Sequence, residues 1–493
     1  MKFTTFSTEC ATRIASPPGL SFVAALFVTA CASSPPVEHP DLGADLPRTW
    51  TTATEACTDI EEKWWRTFDD AWLDSLVTEA IAHNRELQAA AMRVLATDAQ
   101  SRIAGADALP QIGAQFDGVR EKRNFIGLPI PGGGDVLTTR STTFGLTLAF
   151  DWELDVWGRL RAATAAAIAD REAIEHDLQA AHLSLVGQVA KLWFALRETQ
   201  RQLVLAEATA ASFRTTAEQV RDRYERGLRP SLDLRFALSN VASAEAVEHA
   251  RAGDLDRFVR QLEVLLGRYP ARELQAVREA VNRELPAVPI TIPGGLPAEL
   301  LWRRPDLAAA ERRLAALQAN VKSARAGLYP RFSLTASGGT SSDELKDLVN
   351  GDFSVWGLAG NVLQPVFQGG RLVAAVDVAE ARREEARLVY IQQALTAFSE
   401  VEMALAVERT LMAREAALRS AVEQSVAGRE LAEERYARGI DDFITVLEAQ
   451  RRAFVSESEL LVARRLRLQT RVHLHLALGG GFDSRAQDRG EGD

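Results

Sequence analysis

The sequence predicts a mainly α-helical chain built as a tandem repeat, each half carrying one β-hairpin and one long helical hairpin. Three observations carry that expectation. Short motifs recur with their residue numbers shifted by a constant 212: Arg223-Tyr224-Glu225-Arg226-Gly227 with Arg435-Tyr436-Ala437-Arg438-Gly439, Gly158-Arg159-Leu160 with Gly370-Arg371-Leu372, and Leu266-Gly267 with Leu478-Gly479. Proline is absent throughout Gly158–Gly227 and again throughout Gly370–Gly439. In each half, a stretch with helical spacing gives way after a proline to strict alternation of apolar and polar residues.

The elements follow in chain order. Lys2 and Arg13 precede an apolar run, Leu20–Thr29, too short to span a bilayer but right for a signal-peptide core. Val28-Thr29-Ala30-Cys31 resembles a bacterial lipoprotein cleavage box, which makes residues 1–30 a signal peptide and Cys31 the lipidated first residue of the mature chain. Ala32 lacks the aspartate associated with inner-membrane retention. Residues 31–60, rich in Pro, Thr and Asp, read as an extended tether. Of the three cysteines, Cys10 leaves with the leader and Cys57 has no partner at metal or disulfide spacing.

The first repeat is placed at 61–285. Apolar residues at three- and four-residue spacing predict one helix from Leu76 to Asp107, ended by Pro110. Ile112, Ala114 and Phe116, then Phe144 through Leu154, alternate with polar residues and predict a β-hairpin over about 111–154 with strands of about ten residues. That length suffices for a tilted transmembrane strand, but this stretch alone favours a half-buried hairpin in a soluble sheet. The helical hairpin follows at 158–267. From Leu185 a heptad seam runs through Val189, Leu196, Phe213, Val220 and Tyr224, with Thr199 its one polar interruption. A proline-free helix of that length reaches roughly 105 Å. The return helix ending at Leu266-Gly267 is only about half as long, so it and the first helix, of similar length, are expected to stack end to end beside the long one.

The second repeat, 286–481, is expected to do the same. A Pro-rich connector with a short helix near Ala298–Arg303 leads to a helix over Asp306–Gly327, a β-hairpin at about 331–364 and a helical hairpin at 370–478. Residues 482–493 read as a disordered tail. Gly227 and Gly439 mark the two hairpin turns, where glycine can take the left-handed conformation that ends a helix. Asp441 or Asp442 is expected to cap the helix that leaves the second turn.

A net charge of −10 gives no support to a nucleic-acid partner. No catalytic or cofactor-binding constellation emerges. His473 and His475, two apart on a helix, do not make a metal pair and read as surface or core residues. The chain therefore reads as a non-enzyme without a cofactor.

In combination and order, these residues resemble a known family. Trp64-Trp65 with Phe68, Leu76, Asn84 and Leu87, the strand exit Trp152–Leu160, the twice-occurring Arg-Tyr-x-x-Gly turn and Leu476–Gly481 match the outer-membrane lipoproteins of tripartite efflux systems, the TolC-like channel-tunnels of the OprM and NodT type. The resemblance covers residues 60–481. It implies a homotrimer in the Gram-negative outer membrane. Three chains would pool four strands each into a 12-stranded barrel held in outer-membrane lipid, with a hollow α-helical barrel reaching through the periplasm toward an adaptor and an inner-membrane pump of the RND type. It also implies a periplasmic gate, falling by position on Tyr436, Ile444, Glu448 and Arg451. Ile444 and Glu448 are four apart and Glu448 and Arg451 three apart, so one helix face can present them. In the first repeat the last three become Leu232, Phe236 and Ser239, without charge, which assigns the gate to the second hairpin. The competing reading is a periplasmic coiled-coil adaptor, which would need a lipoyl-like domain that the sequence does not contain.

Overall fold

The computed structural model describes Trp50 and residues 63–126, 136–274, 284–289 and 299–481. Cys31, the signal peptide, Cys57, the Pro/Gly-rich loop around Pro129 and the tail at 482–493 lie outside the described residues. The helices are α1 (Ala71–His83), α2 (Arg85–Ala106), α3 (Arg159–Glu225), α4 (Ser231–Leu265), α5 (Leu300–Arg303), α6 (Pro305–Ala326), α7 (Arg371–Ala437) and α8 (Phe443–Ala477). The strands are β1 (Gln111–Ile126), β2 (Val136–Leu154), β3 (Arg331–Ser342) and β4 (Ser354–Leu363). The repeat offset is kept to the residue in the helical hairpins: α3 and α7 both have 67 residues, and α4 and α8 both have 35.

Chain contacts divide the protein into two units. One holds residues 101–168 and 318–379 and contains all four strands. They form one antiparallel sheet in the order β1-β2-β3-β4, so the strand pair β2–β3 joins the two repeats. Beside it, Thr164 Oγ1 on α3 donates to Ala104 O (3.1 Å), and Ser323 Oγ on α6 donates to Arg159 O (3.0 Å).

The other unit holds the rest of the helices. Its largest core gathers Trp64, Phe68, Leu73 and Val77 near the first helix with Val189, Trp193, Phe194 and Leu196 of α3 and Val259 and Leu262 of α4. The paired tryptophans are structural. The Trp64 ring stacks on His475 at 4.9 Å, and Trp65 Nε1 donates to Asp74 Oδ1 at 2.9 Å. Asp70 caps α1, accepting from Leu73 N, and its other oxygen accepts from Trp193 Nε1 at 2.9 Å. The predicted seam on α3 is buried from Leu185 to Val220, Thr199 included, whereas Tyr224 at its end is 41 % exposed.

Two expectations need correction. The helix drawn from Leu76 to Asp107 is two helices broken at Asn84, which has an extended backbone (φ −62°, ψ 126°). Asn84 Oδ1 accepts from Leu87 N (2.9 Å) and so caps α2, while Nδ2 donates to Leu265 O (2.9 Å) at the end of α4. The end-to-end stacking itself is present, and Asn84 is its joint. The joint recurs in the second repeat, where Arg304 Nη1 donates to Ala477 O (3.3 Å) at the end of α8. The strands of the first hairpin are also longer than expected, at 16 and 19 residues. Their extension pairs Arg120 with Thr142 and Lys122 with Arg140, polar positions that an apolar alternation does not register.

Candidate channel-forming surfaces

Register fixes which side chains share a face of the sheet. Ile112 lies opposite Phe150, Phe116 opposite Leu146, Trp152 opposite Leu334, Phe332 opposite Val362 and Gly338 opposite Trp356. All are even-numbered, and directly paired residues point to the same side. One face is therefore apolar across all four strands. The odd-numbered face carries Gln115, Asp117, Thr147, Asp151, Ser333, Thr335 and Asn361. Among the described residues much of the apolar face is uncovered: Ile112 is 74 %, Leu148 60 %, Trp356 85 % and Leu358 67 % exposed. On β2 it runs from Phe144 to Leu154, roughly 34 Å of strand, or about 24 Å in height at a tilt near 45°. Beyond Phe144 the same rows turn to Arg120, Lys122 and Arg140. Past Leu154, Trp157 stacks on Tyr329 (4.9 Å) and donates from Nε1 to Pro330 O (2.8 Å), an aromatic pair beyond the apolar band. No described helix is long and apolar enough to cross a membrane. Both outer edges of the sheet, on β1 and β4, lack a neighbouring strand among the described residues.

The hairpin tips form the second surface. Each long helix ends on a glycine with positive φ, +73° at Gly227 and +74° at Gly439. Leu228 N donates to Arg223 O (2.8 Å), and Ile440 N donates to Arg435 O (2.9 Å). This backbone wrap satisfies carbonyls that the helix end would leave open, and it needs the conformation glycine tolerates. Asp442 stands at the N-cap of α8 (φ −82°, ψ 153°) with no side-chain cap bond. Its carboxylate instead accepts from Arg229 Nη1 of the first tip at 3.1 Å, and Asp441 is held by Arg435 Nε at 2.7 Å. Neither aspartate side chain caps α8, because both are taken by arginines.

The proposed gate residues are not equivalent in the fold. Tyr436 is 1 % exposed and packs with Val220, Ala237, Phe443 and Val446. Arg223 of the first tip lies 4.2 Å over its ring and donates from Nη2 to Tyr436 O at 2.8 Å. Ile444 is 63 % exposed, and Glu448 and Arg451 are exposed beside it. Glu448 accepts from Arg452 Nε at 2.9 Å, so the partner of Glu448 in the chain is Arg452 and not Arg451. An i,i+4 pair with the acid first has the better geometry on a helix. The Arg452 hydrogen bond, with the charges of Arg452 and Arg451, holds the Glu448 carboxyl below the usual range. Sequence reading missed Arg223 and Arg229, which tie the two tips together, because each reaches a partner 213 residues away. A three-helix network sits above: Gln450 Nε2 on α8 lies 2.9 Å from Ser212 Oγ on α3 and 2.8 Å from Glu433 Oε1 on α7. Among the described residues no group of three or more His, Cys, Asp or Glu side chains could hold a metal.

Comparison with known proteins agrees with this geometry. The family model described as outer membrane efflux protein matches residues 76–268 and 296–480. The chain is 34 % identical over 462 residues to outer membrane protein OprJ of Pseudomonas aeruginosa, covering 93 % of this chain and 95 % of that one. It is 34 % identical over 417 residues to the solvent efflux pump outer membrane protein SrpC of Pseudomonas putida, covering 84 % and 86 %. The solved outer-membrane channel OprN superposes with a TM-score of 0.83 at 28 % identity, covering 92 % of this chain and 99 % of that one.

Proposed function

The chain belongs to the outer membrane efflux protein family, and on that premise we propose that it is the duct of a tripartite pump, passively exporting small molecules that an inner-membrane pump of the RND type delivers through a periplasmic adaptor. Like its relatives it is an outer-membrane channel protein with a periplasmic helical part. The observation that carries the reading is the sheet: one continuous apolar face, one polar face, and two open edges. Four strands cannot close on themselves, and an open edge in lipid leaves backbone groups unpaired. Three copies supply twelve strands and remove every edge, with the apolar face to lipid and the polar face to the lumen. The Cys31 lipid is a second attachment to the same membrane.

The second tip is the gate in this reading. Ile444 with Glu448, Arg451 and Arg452, repeated around a threefold axis, makes an apolar constriction beside a charged ring. Arg223 and Arg229 clamp the second tip to the first and favour the closed packing. The function is tested by native mass measurement of the detergent-extracted protein together with single-channel recording. A trimer that conducts, with conductance or leak raised by Glu448→Ala, Arg451→Ala or Arg223→Ala, is expected. A monomer, or a trimer that never conducts, would remove the duct. A conducting trimer indifferent to all three substitutions would move the gate elsewhere. Cys31→Ser is expected to abolish lipid labelling, and continued labelling would refute the anchor.

A further inference from the structure

All four links to the helices leave the sheet from one end. β1 begins at Gln111 just after α2, β2 ends at Leu154 just before α3, and β3 and β4 join α6 and α7 at Arg331 and Leu363. The helical part is periplasmic, so the far end of the sheet points to the exterior. There the second hairpin stops early: its last pair is Thr340 with Ser354, and Ser342 lies opposite Phe144. The first hairpin runs on, pairing Val119 with Thr143 and, at its tip, Ile126 with Val136.

In this extension the apolar side of the sheet changes character. Arg120 lies opposite Thr142, and Lys122 lies opposite Arg140. All three cations are exposed, and none has a carboxylate partner among the described residues. That excludes the acidic residues of the β3–β4 connection, Asp343, Glu344, Asp347 and Asp352, of which Glu344 pairs with Lys346. Two residues advance a strand by about 7 Å. At a tilt near 45°, Arg120 therefore stands roughly 5 Å, and the Lys122–Arg140 pair roughly 10 Å, beyond the level of Phe144. The reverse side at this level is balanced: Arg123 pairs with Glu121 at 2.9 Å, and Ser141 Oγ donates to the same carboxylate at 3.5 Å. The excess positive charge is one-sided. Like charges directly opposite one another weaken a strand pair, so Lys122 and Arg140 cost the hairpin stability unless an anion lies between them.

We propose that Arg120, Lys122 and Arg140 bind the phosphates of lipid A, the anionic glycolipid of the outer leaflet. The inference rests on the reading of the chain as a membrane-spanning trimer, and it adds a lipid class and the residues that hold it. The surface matches an amphiphile in both halves. The cations stand just beyond the apolar band, where headgroup phosphates lie, and guanidinium groups suit phosphate oxygens. Directly below them on the same two strands, Phe116 lies opposite Leu146, with 58 % and 43 % exposure, and gives acyl chains an apolar wall. The Thr142 hydroxyl beside Arg120 adds a neutral donor. A soluble phosphate would meet only the upper half of this surface, and an uncharged lipid only the lower half. The anion between Lys122 and Arg140 removes their mutual repulsion, so binding and hairpin stability are coupled.

The test uses the full chain, delipidated in neutral detergent, with native mass measurement to count lipids bound per assembly. Three probes are compared: bis-phosphorylated lipid A, dephosphorylated lipid A and phosphatidylglycerol. The protein is expected to bind bis-phosphorylated lipid A at least about tenfold more tightly than either of the others. The triple variant Arg120→Gln, Lys122→Gln, Arg140→Gln is expected to lose that preference, and Arg123→Gln, on the reverse side, to keep it. A preference that survives the triple variant overturns the surface. Phosphatidylglycerol bound as tightly as lipid A overturns the lipid class. A monomer in every sample removes the trimer reading, whereas a trimer that binds all three probes alike removes only this inference. Arg140→Glu separates binding from folding, because it places opposite charges across the strand pair. Its lipid-free trimer is expected to resist heat at least as well as the parent while binding lipid A about tenfold more weakly. Loss of heat resistance together with binding would make the three residues structural and overturn the proposal.

Discussion

His475 shows how environment decides what a residue does. On the sequence it is a helical histidine two positions from another; in the fold it is buried against the Trp64 ring. Burial, with the nearby charge of Arg471, pushes its pKa down to about 3. A base whose folded pKa lies below its unfolded value of 6.5 is stabilising when neutral. As pH falls below about 6.5 the unfolded chain takes up the proton first, and stability drops by up to ~1.4 kcal/mol per pH unit until the folded group titrates near 3. Thermal melts of a His475→Phe variant are expected to show a shallower loss between pH 6.5 and about pH 4; an unchanged slope would assign acid sensitivity to other groups. Tyr436 allows a second test. Its ring is fixed by Arg223, while its hydroxyl finds no hydrogen-bond partner among the described residues. Tyr436→Phe is expected to leave stability equal or higher by about 1 kcal/mol. A clear loss would mean that the hydroxyl contributes to stability where it is buried and is not an unsatisfied group.

At the scale of elements, the two helical hairpins share their boundaries and differ in what fills them. Leu196, Leu203, Leu255 and Val259 make the first seam apolar, and Glu408, Glu415, Arg467 and Arg471 make the second ionic. Removing one member of a buried ionic set strands the others, so Glu408→Ala is expected to cost about 3–5 kcal/mol. Installing the first seam in the second hairpin, with Glu408→Leu, Glu415→Leu, Arg467→Leu and Arg471→Val together, is expected to be neutral or stabilising by about 1–4 kcal/mol. Calorimetry of both variants decides the matter, and a quadruple variant weaker than the single one would contradict it. Much at this scale was legible. Glycine, proline and heptad spacing placed the four hairpin helices, because long helices are fixed by local signals. The break at Asn84 was only half legible: an asparagine capping Leu87 N three residues on is a local signal, whereas the carbonyl of Leu265 that holds its amide lies 181 residues away. The pairing of Glu448 with Arg452 was open to a reading of helix spacing alone, but the resemblance drew attention to Arg451.

For the whole molecule, the sheet is where sequence reading stopped short. Alternation gave the strands, but a single chain's pattern cannot tell a membrane face from a soluble core. Register across four strands supplied the distinction by bringing Ile112, Phe150, Ala336 and Leu358 onto one side. Leu148→Arg, on that side and mid-band, is expected to cost about 2–4 kcal/mol, read as a lower temperature of trimer dissociation on semi-native gels. Thr147→Arg, at the adjacent position and facing the other way, is expected to cost much less. Equal effects would mean that the two faces do not see different solvents.

The repeat keeps two rulers. The long helices start at Arg159 and Arg371, numbers that differ by 212, whereas the joints at Asn84 and Arg304 and the strand starts at Gln111 and Arg331 differ by 220. The path from strand start to long helix, Gln111 to Arg159 in the first repeat and Arg331 to Arg371 in the second, is therefore eight positions shorter in the second. Length has changed freely around the strands and not at all within α3, α4, α7 and α8. One added residue would turn the rest of a helix by about 100° and misalign every contact beyond it. For anyone wishing to attach a reporter, the polar segment between β3 and β4, where Leu345–Asp347 and Gly351–Phe353 make isolated helical turns, is the place to insert it. The same peptide placed in a long helix of one repeat would have to be matched in the other.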